Sequence, residues 1–194
     1  RQEIIRRYYK AVCDYKTGNG TEETVKRIRL LMNENKIEES ERTVVRPALE
    51  KAEASNCASV AIELEDGRLV TGKSNKLMTA CASAVINAVK TLSDIPDEML
   101  LLSPIVLAPI ISLKKEVLRE DKVKLSLGDV LSALSICAAT NPVAEQAMNR
   151  LAQLRDCDAH ASCILPESDL GVMRKLGVNL TCEPEFGSKD LYGF

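Results

Sequence analysis

The 194-residue chain has no tryptophan and a single histidine, His160, so a two-histidine metal site or a His-Glu-x-x-His centre cannot be built within it. Aromatic residues make up only 3% of it. They sit at the ends, as Tyr8, Tyr9, Tyr15, Phe186, Tyr192 and Phe194, with none between Lys16 and Glu185. Stacking on nucleobases is therefore absent from most of the chain. This counts against RNA-binding platforms and against a self-sufficient nucleotide pocket that relies on stacking. No excess of basic charge exists either: 26 Lys and Arg stand against 28 Asp and Glu, for a net charge of −2. A general nucleic-acid binder is disfavoured. No apolar run approaches the ~20 residues a membrane-spanning helix needs. The seven cysteines include no Cys-x-x-Cys pair and lie mostly in apolar segments, a pattern suited to a reducing cytoplasm.

What is present is ordinary material for a core, with 45% hydrophobic and 28% charged residues. The length fits one well-buried domain or a domain with a small subdomain. The chain opens on Arg1 in a charged segment, which reads as a fragment of something longer. Residues 2–16 carry Ile4, Ile5, Tyr8, Tyr9, Val12 and Tyr15 at helical spacing, and Gly18-Asn19-Gly20 ends the pattern. Thr21 caps a second helix with Glu22 and Glu23 in its first turn, making a helical hairpin. A third short helix is expected from Pro47. The terminal aromatics suggest that this hairpin packs its tyrosines against the C-terminal tail, a second copy or an absent portion.

From Ser59 the period becomes two. Val60, Ile62 and Leu64 alternate with Ala61, Glu63 and Glu65, Asp66-Gly67 turns the chain, and residues 68–71 return, as in a β-hairpin. Residues 77–92 read as a helix with a small-residue row at Ala80, Ala84 and Ala88. Short helical pieces fit 104–118, Ser126-x-x-Asp129 opens a helix as a capping box, and Asn141-Pro142 starts another reaching Leu154. Strand 158–165, helix 168–176 and strand 178–182 suggest a short parallel crossover. The expected fold is mixed α/β (α+β): a helical subdomain over 1–56, then an α/β domain over 57–194 whose small mixed sheet is flanked by helices.

Three constellations invite chemistry. Gly67 to Ser74 satisfies the G-x-x-x-x-G-K-[ST] phosphate-loop pattern, but Arg68-Leu69-Val70-Thr71 is a β-prone run after an Asp-Gly turn. The reading that survives is an anion site at a strand end, made by Thr71, Gly72, Lys73 and Ser74 ahead of a helix N-terminus. Asp158, His160 and Ser162 share one strand face. Alternate residues stand about 6.6 Å apart and project side by side, so a triad does not form, leaving a polar strand face or a lone acid–base role for His160. Cys157 and Cys163 lie on the opposite face from His160. Even with Cys182 a closed zinc site lacks its fourth ligand, so no metal site is assigned.

The strings RQEIIRRYY (1–9), LLMN (30–33), VTGKS (70–74), INAVK (86–90), AHASCIL (159–165) and RKLGVNLT (174–181), in that order, resemble the C-terminal region of the bacterial domain of unknown function 1846 family. The resemblance runs nearly end to end. It implies an upstream α/β portion with its own Gly-rich phosphate-loop-like segment. It carries no activity onto these residues, and nothing in them supports peptidase chemistry. Two functions are expected. In one, this is the C-terminal domain of a cytoplasmic enzyme, completing a phosphate-containing ligand site with Thr71 to Ser74 and His160. In the other it is a structural or oligomerisation module. The partners implied are the missing N-terminal portion and a second copy of the chain, with no nucleic acid and no membrane; no cofactor is named.

Overall fold

Alternation in β1 (Ser59–Glu63) sends Val60 and Ile62 to one side and Ala61 to the other, and helices cover both sides. A computed structural model describes residues 1–187 of the chain. The sheet has four strands in the order β2-β1-β3-β4, where β2 is Leu69–Lys73, β3 is Asp158–Ala161 and β4 is Asn179–Cys182. β1 pairs antiparallel with both β2 and β3, and β3 pairs parallel with β4. The expected mixed sheet, with its hairpin and crossover, is thus the one observed.

The hairpin closes as Leu64 N–H donates to the Arg68 carbonyl at 2.9 Å, with Gly67 at φ +83°. That left-handed conformation is open to glycine without a Cβ penalty. Gly67 is therefore a turn glycine. The crossover between β3 and β4 is helix α8 (Glu167–Leu176), which Gly177 ends at φ +80°.

Helices α1 (Gln2–Lys16) and α3 (Val45–Ser55) cover one face of the sheet, and α4 (Ala80–Leu92) the other. α2 (Glu22–Glu34) lies on α1, where Met32 joins Ile5, Tyr8 and Tyr9 in a separate apolar cluster. The tyrosines face this cluster and β3. Near the C-terminal end of the described residues, Lys16 Nζ of α1 lies 5.8 Å from the Phe186 ring centroid; Tyr192 and Phe194 lie outside the described residues.

Beyond α4 lie α5 (Pro104–Ser112), a π-helical turn over Leu113–Val117, α6 (Leu127–Ala138) and α7 (Pro142–Asn149). The capping box of α6 is formed: Ser126 Oγ accepts from Asp129 N–H at 3.2 Å, and Asp129 Oδ2 accepts from Ser126 N–H at 2.9 Å. The main core runs between the sheet and these helices and is aliphatic, as the aromatic distribution required.

α3 starts at Val45, two residues before Pro47, and β2 runs over Leu69–Lys73 instead of 68–71. Three further boundaries differ from expectation, each for a local reason. α4 begins at Ala80 instead of Leu77, because Asn75 Oδ1 accepts from the N–H groups of Leu77 and Met78 and holds a turn that Thr79 then caps. α7 stops at Asn149 and a 3₁₀ turn carries the chain to Leu154. β3 leaves its ladder after Ala161, since Ile164 N–H donates instead to the Glu185 carbonyl.

Candidate functional site

Two groups of buried polar side chains lie at β3. The first is on the α1 and α3 side, where His160 is wholly buried. Its Nδ1 is 2.8 Å from Thr181 Oγ1, its Nε2 is 3.1 Å from Glu183 Oε1, and the Tyr9 ring meets it edge-on at 4.8 Å. A carboxylate only accepts, so Nε2 carries the proton toward Glu183 and, in the neutral ring, Nδ1 accepts from the Thr181 hydroxyl. Thr181 in turn accepts from Arg42 Nε at 2.9 Å.

Arg42 is the anchor of this group. It is 1% exposed, donates to the carbonyls of Ala159 and Asn179, and sets Nη1 3.0 Å from Asp158 Oδ1. Burial pushes its guanidinium down from the ordinary arginine value, and Asp158 opposes that. Asp158, His160 and Ser162 do share a strand face, but they do not converge: Asp158 engages Arg42, while Ser162 Oγ accepts from Ser59 N–H at 3.0 Å. The polar face is covered by helices. It is not a wet surface.

The second group lines a cleft of about 430 Å³ at the carboxyl ends of β2 and β3. In sheets with parallel pairs, ligands commonly sit outside the carboxyl ends of strands. Three loops make the walls here. Ser74 leaves β2 with its N–H on the Ala58 carbonyl at 2.8 Å. The 122–125 segment is laced to the loop before α4 by Leu125 N–H to the Leu77 carbonyl (2.8 Å) and Thr79 N–H to the Leu125 carbonyl (3.0 Å). This brings Lys124 Nζ within 2.7 Å of Ser74 Oγ. Lys76 and Lys122 add two more cations to the lining.

The third wall is the start of α8, carrying Cys163, Leu165, Pro166 and Asp169. Asp169 is fully buried, and its Oδ1 accepts from Leu127 N–H at 2.8 Å, holding the first residue of α6. Its Oδ2 has no hydrogen-bond partner among the described residues. Burial pushes the Cys163 thiol up, so it lies here as an apolar wall and not as a thiolate. Another hollow, of about 480 Å³ beside α2, is walled mostly by exposed side chains such as Arg29, Asn33 and Glu38. It holds no buried polar group of this kind.

Of the four residues expected at the strand end, Ser74 lines the cleft and the other three stay in β2. The Thr71 carbonyl accepts from Asn87 Nδ2 at 2.9 Å, and Lys73 is exposed. Gly72 presses on α4, where a Cβ would fall 2.1 Å from Ala84 N. That close approach is the other half of the small-residue row read from Ala80, Ala84 and Ala88. His160 lies in the buried group around Arg42, outside this cleft. Cys157 and Cys163 belong to the core on the α4 side, opposite His160. Among the described residues, no cluster of His, Cys, Asp and Glu is arranged to hold a metal ion, and no helix is long and apolar enough to cross a membrane.

Lys124 and Asp169 escaped the sequence reading. Lys-x-Lys at 122–124 sits in an irregular stretch with no period to assign it a face. Asp169 looks like any acid in a first helical turn, and its partner Leu127 is 42 residues away.

The family model described as "Domain of unknown function DUF1846, C-terminal" matches residues 40–192. A UPF0371 protein of Clostridium botulinum (strain Eklund 17B / Type B) is 46% identical over 200 residues, covering 99% of this chain and 40% of the relative. A UPF0371 protein of Clostridioides difficile (strain 630) is 45% identical over 199 residues, covering 98% and 40%. The chain belongs to this family, and it spans about 40% of the length of the curated relatives it matches.

Proposed function

We propose that the cleft at the carboxyl ends of β2 and β3 is a small-molecule site for a phosphate-bearing ligand, completed in the full-length protein by its upstream portion. The observation that carries this reading is the Lys124 Nζ to Ser74 Oγ contact of 2.7 Å, with Lys76 and Lys122 on the same walls. An ammonium and a hydroxyl held together at a strand end offer a phosphate two hydrogen bonds, both charge-assisted because the acceptor is an anion. Lys76 and Lys124, set on these walls with the Ser74 hydroxyl, favour an anion. The volume suits a small ligand, within the range of about 300–1,000 Å³ usual for such sites. Ser74 keeps the role expected of it from sequence. His160, bonded at both ring nitrogens, acts in this reading as a tie between strands and α1.

Calorimetric titration of the full-length protein with inorganic phosphate and with a phosphorylated sugar tests this. Lys124→Ala or Ser74→Ala should weaken binding by about tenfold or more, the loss expected for one charge-assisted hydrogen bond. His160→Gln should leave affinity unchanged in whatever fraction folds. An absence of binding, or binding indifferent to Lys124, sinks the reading.

A further inference from the structure

Resting on that reading of the cleft, we infer that its ligand is a hydroxyl-bearing phosphate, a sugar or polyol phosphate, whose hydroxyl donates to Asp169 Oδ2. Asp169 is 0% exposed, and one of its two oxygens is fully explained by the fold, through Leu127 N–H at 2.8 Å. An asparagine would serve that bond equally well. The second oxygen is buried, lacks a donor among the described residues, and belongs to a residue that lines the cleft. A buried acceptor without a donor is costly, and such groups ordinarily find a partner. A donor brought by the ligand supplies what the protein does not.

The chemistry of the walls narrows the donor. An ammonium group would enter a cleft already carrying Lys76 and Lys124, and their repulsion opposes it. A neutral hydroxyl meets no such opposition. No aromatic side chain among the described residues lines the cleft, so a nucleobase would find no stacking platform. What remains is a compact molecule with a phosphate for the lysines and a hydroxyl for Asp169. A single carboxylate does not make a cage for a metal ion by itself, though Mg²⁺ held between Asp169 and a phosphate is a distinct arrangement that the experiment separates.

The experiment is calorimetry on the full-length protein in EDTA, using inorganic phosphate and ribose 5-phosphate, for the wild type and Asp169→Asn. Asparagine keeps the acceptor for Leu127 and replaces the second oxygen with a donor. The expected result is that the wild type binds ribose 5-phosphate at least tenfold tighter than phosphate, and that Asp169→Asn abolishes this gap without weakening phosphate binding, since the substitution removes a like charge from the lining. Unliganded Asp169→Asn should melt no lower than the wild type, since the oxygen it replaces has no hydrogen-bond partner among the described residues. A gap that survives in Asp169→Asn, equal wild-type affinity for the two probes, or a strict need for Mg²⁺ overturns the inference while the phosphate site stands. Melting of Asp169→Asn well below the wild type also overturns it, by assigning the second oxygen to the fold. Failure of the wild type to bind phosphate in any form removes the site reading and the inference together.

Discussion

His160 and Asp169 are both wholly buried polar residues, carried by β3 and by the helix that follows it, yet their surroundings differ in kind. Around His160 each ring nitrogen has a side-chain partner, and Arg42 bonds onward to two carbonyls, Thr181 and Asp158. Around Asp169 one oxygen is bonded and the other has no partner among the described residues, and a cleft with three lysines lies beside it. The first group ties strands to helices through many bonds, and although the Tyr9 hydroxyl and Asp158 Oδ1 within it also lack a hydrogen bond among the described residues, neither residue lines the cleft. The second has its unbonded oxygen on a residue that does line the cleft. On the reading proposed above, the two divide the protein between holding its fold and holding a ligand, and a substitution in either should report on only one of these.

The largest break of that division is expected at Arg42. Arg42→Ala leaves Thr181 and two backbone carbonyls without a buried donor and Asp158 with only Arg6, 3.7 Å away, and removing the buried member of an ion pair costs up to about 3–5 kcal/mol. Denaturant unfolding of the variant should move by that much. Ligand affinity measured on the folded fraction should not change, because Arg42 does not line the cleft. A stability loss under about 1 kcal/mol, the scale of an exposed pair, would dissolve the contrast, since the group around Arg42 would then be no more structural than the one around Asp169.

Gly72 sharpens the comparison from the other side, because it belongs to the frame of the cleft and to none of its walls. A Cβ there would meet backbone atoms of α4 at 2.1 to 2.6 Å, and a helix backbone yields far less readily than a side chain end. Gly72→Ala should cost about 3 kcal/mol, at the upper end for overpacking, and should weaken phosphate binding as well. The reason is geometric: pushing α4 off β2 shifts Thr79 and Ala80 away from Ser74, all three of which line the cleft. Thermal melting and a phosphate titration on the same sample check both parts. Full stability with Gly72→Ala would place the glycine's value elsewhere than in the β2–α4 contact.

How far the sequence led follows the same division. Local chemistry was legible: Asp66-Gly67 named its turn, Ser126 and Asp129 named their capping box, and period two picked out the hairpin. These features are set by neighbours within a few residues. The expected anion position led to Ser74, which does line the cleft, because a strand end before a helix is a local pattern too. Arg42, Lys124 and Asp169 were not found, since each acquires its role from partners 42 to 139 residues away, or from a loop whose lysines have no period. Arg42 in particular lies in an irregular segment, where nothing in composition tells a buried arginine from a solvated one. The glycines of the phosphate-loop pattern are explained by the fold: the residues match in order, but Gly67 and Gly72 answer to a hairpin turn and a helix contact.

The smallest expected effect concerns the cap that joins the two halves of the cleft wall. Asp129 sits in the first turn of α6, whose leading N–H is the one bonded to Asp169. Burial pushes its carboxyl up, but the Ser126 N–H and the Lys114 ammonium at 2.9 Å outweigh that and hold it below the ordinary carboxylate range. A depressed folded-state value means the carboxylate stabilises the fold above its unfolded-state value, near pH ~4, and loses that contribution as pH falls through the folded one. Asp129→Asn should therefore cost about 1 kcal/mol at about pH 7, the usual worth of a cap, and progressively less below about pH 4. Thermal melts of the two proteins from about pH 7 to about pH 3 should converge toward acid. Because the substituted asparagine still accepts from Ser126 N–H through its amide oxygen, α6 keeps its start, and phosphate binding at neutral pH should change by less than a factor of about three. A melting difference that stays constant into acid would mean that Lys114 and the cap do not act through the charge of Asp129 at all.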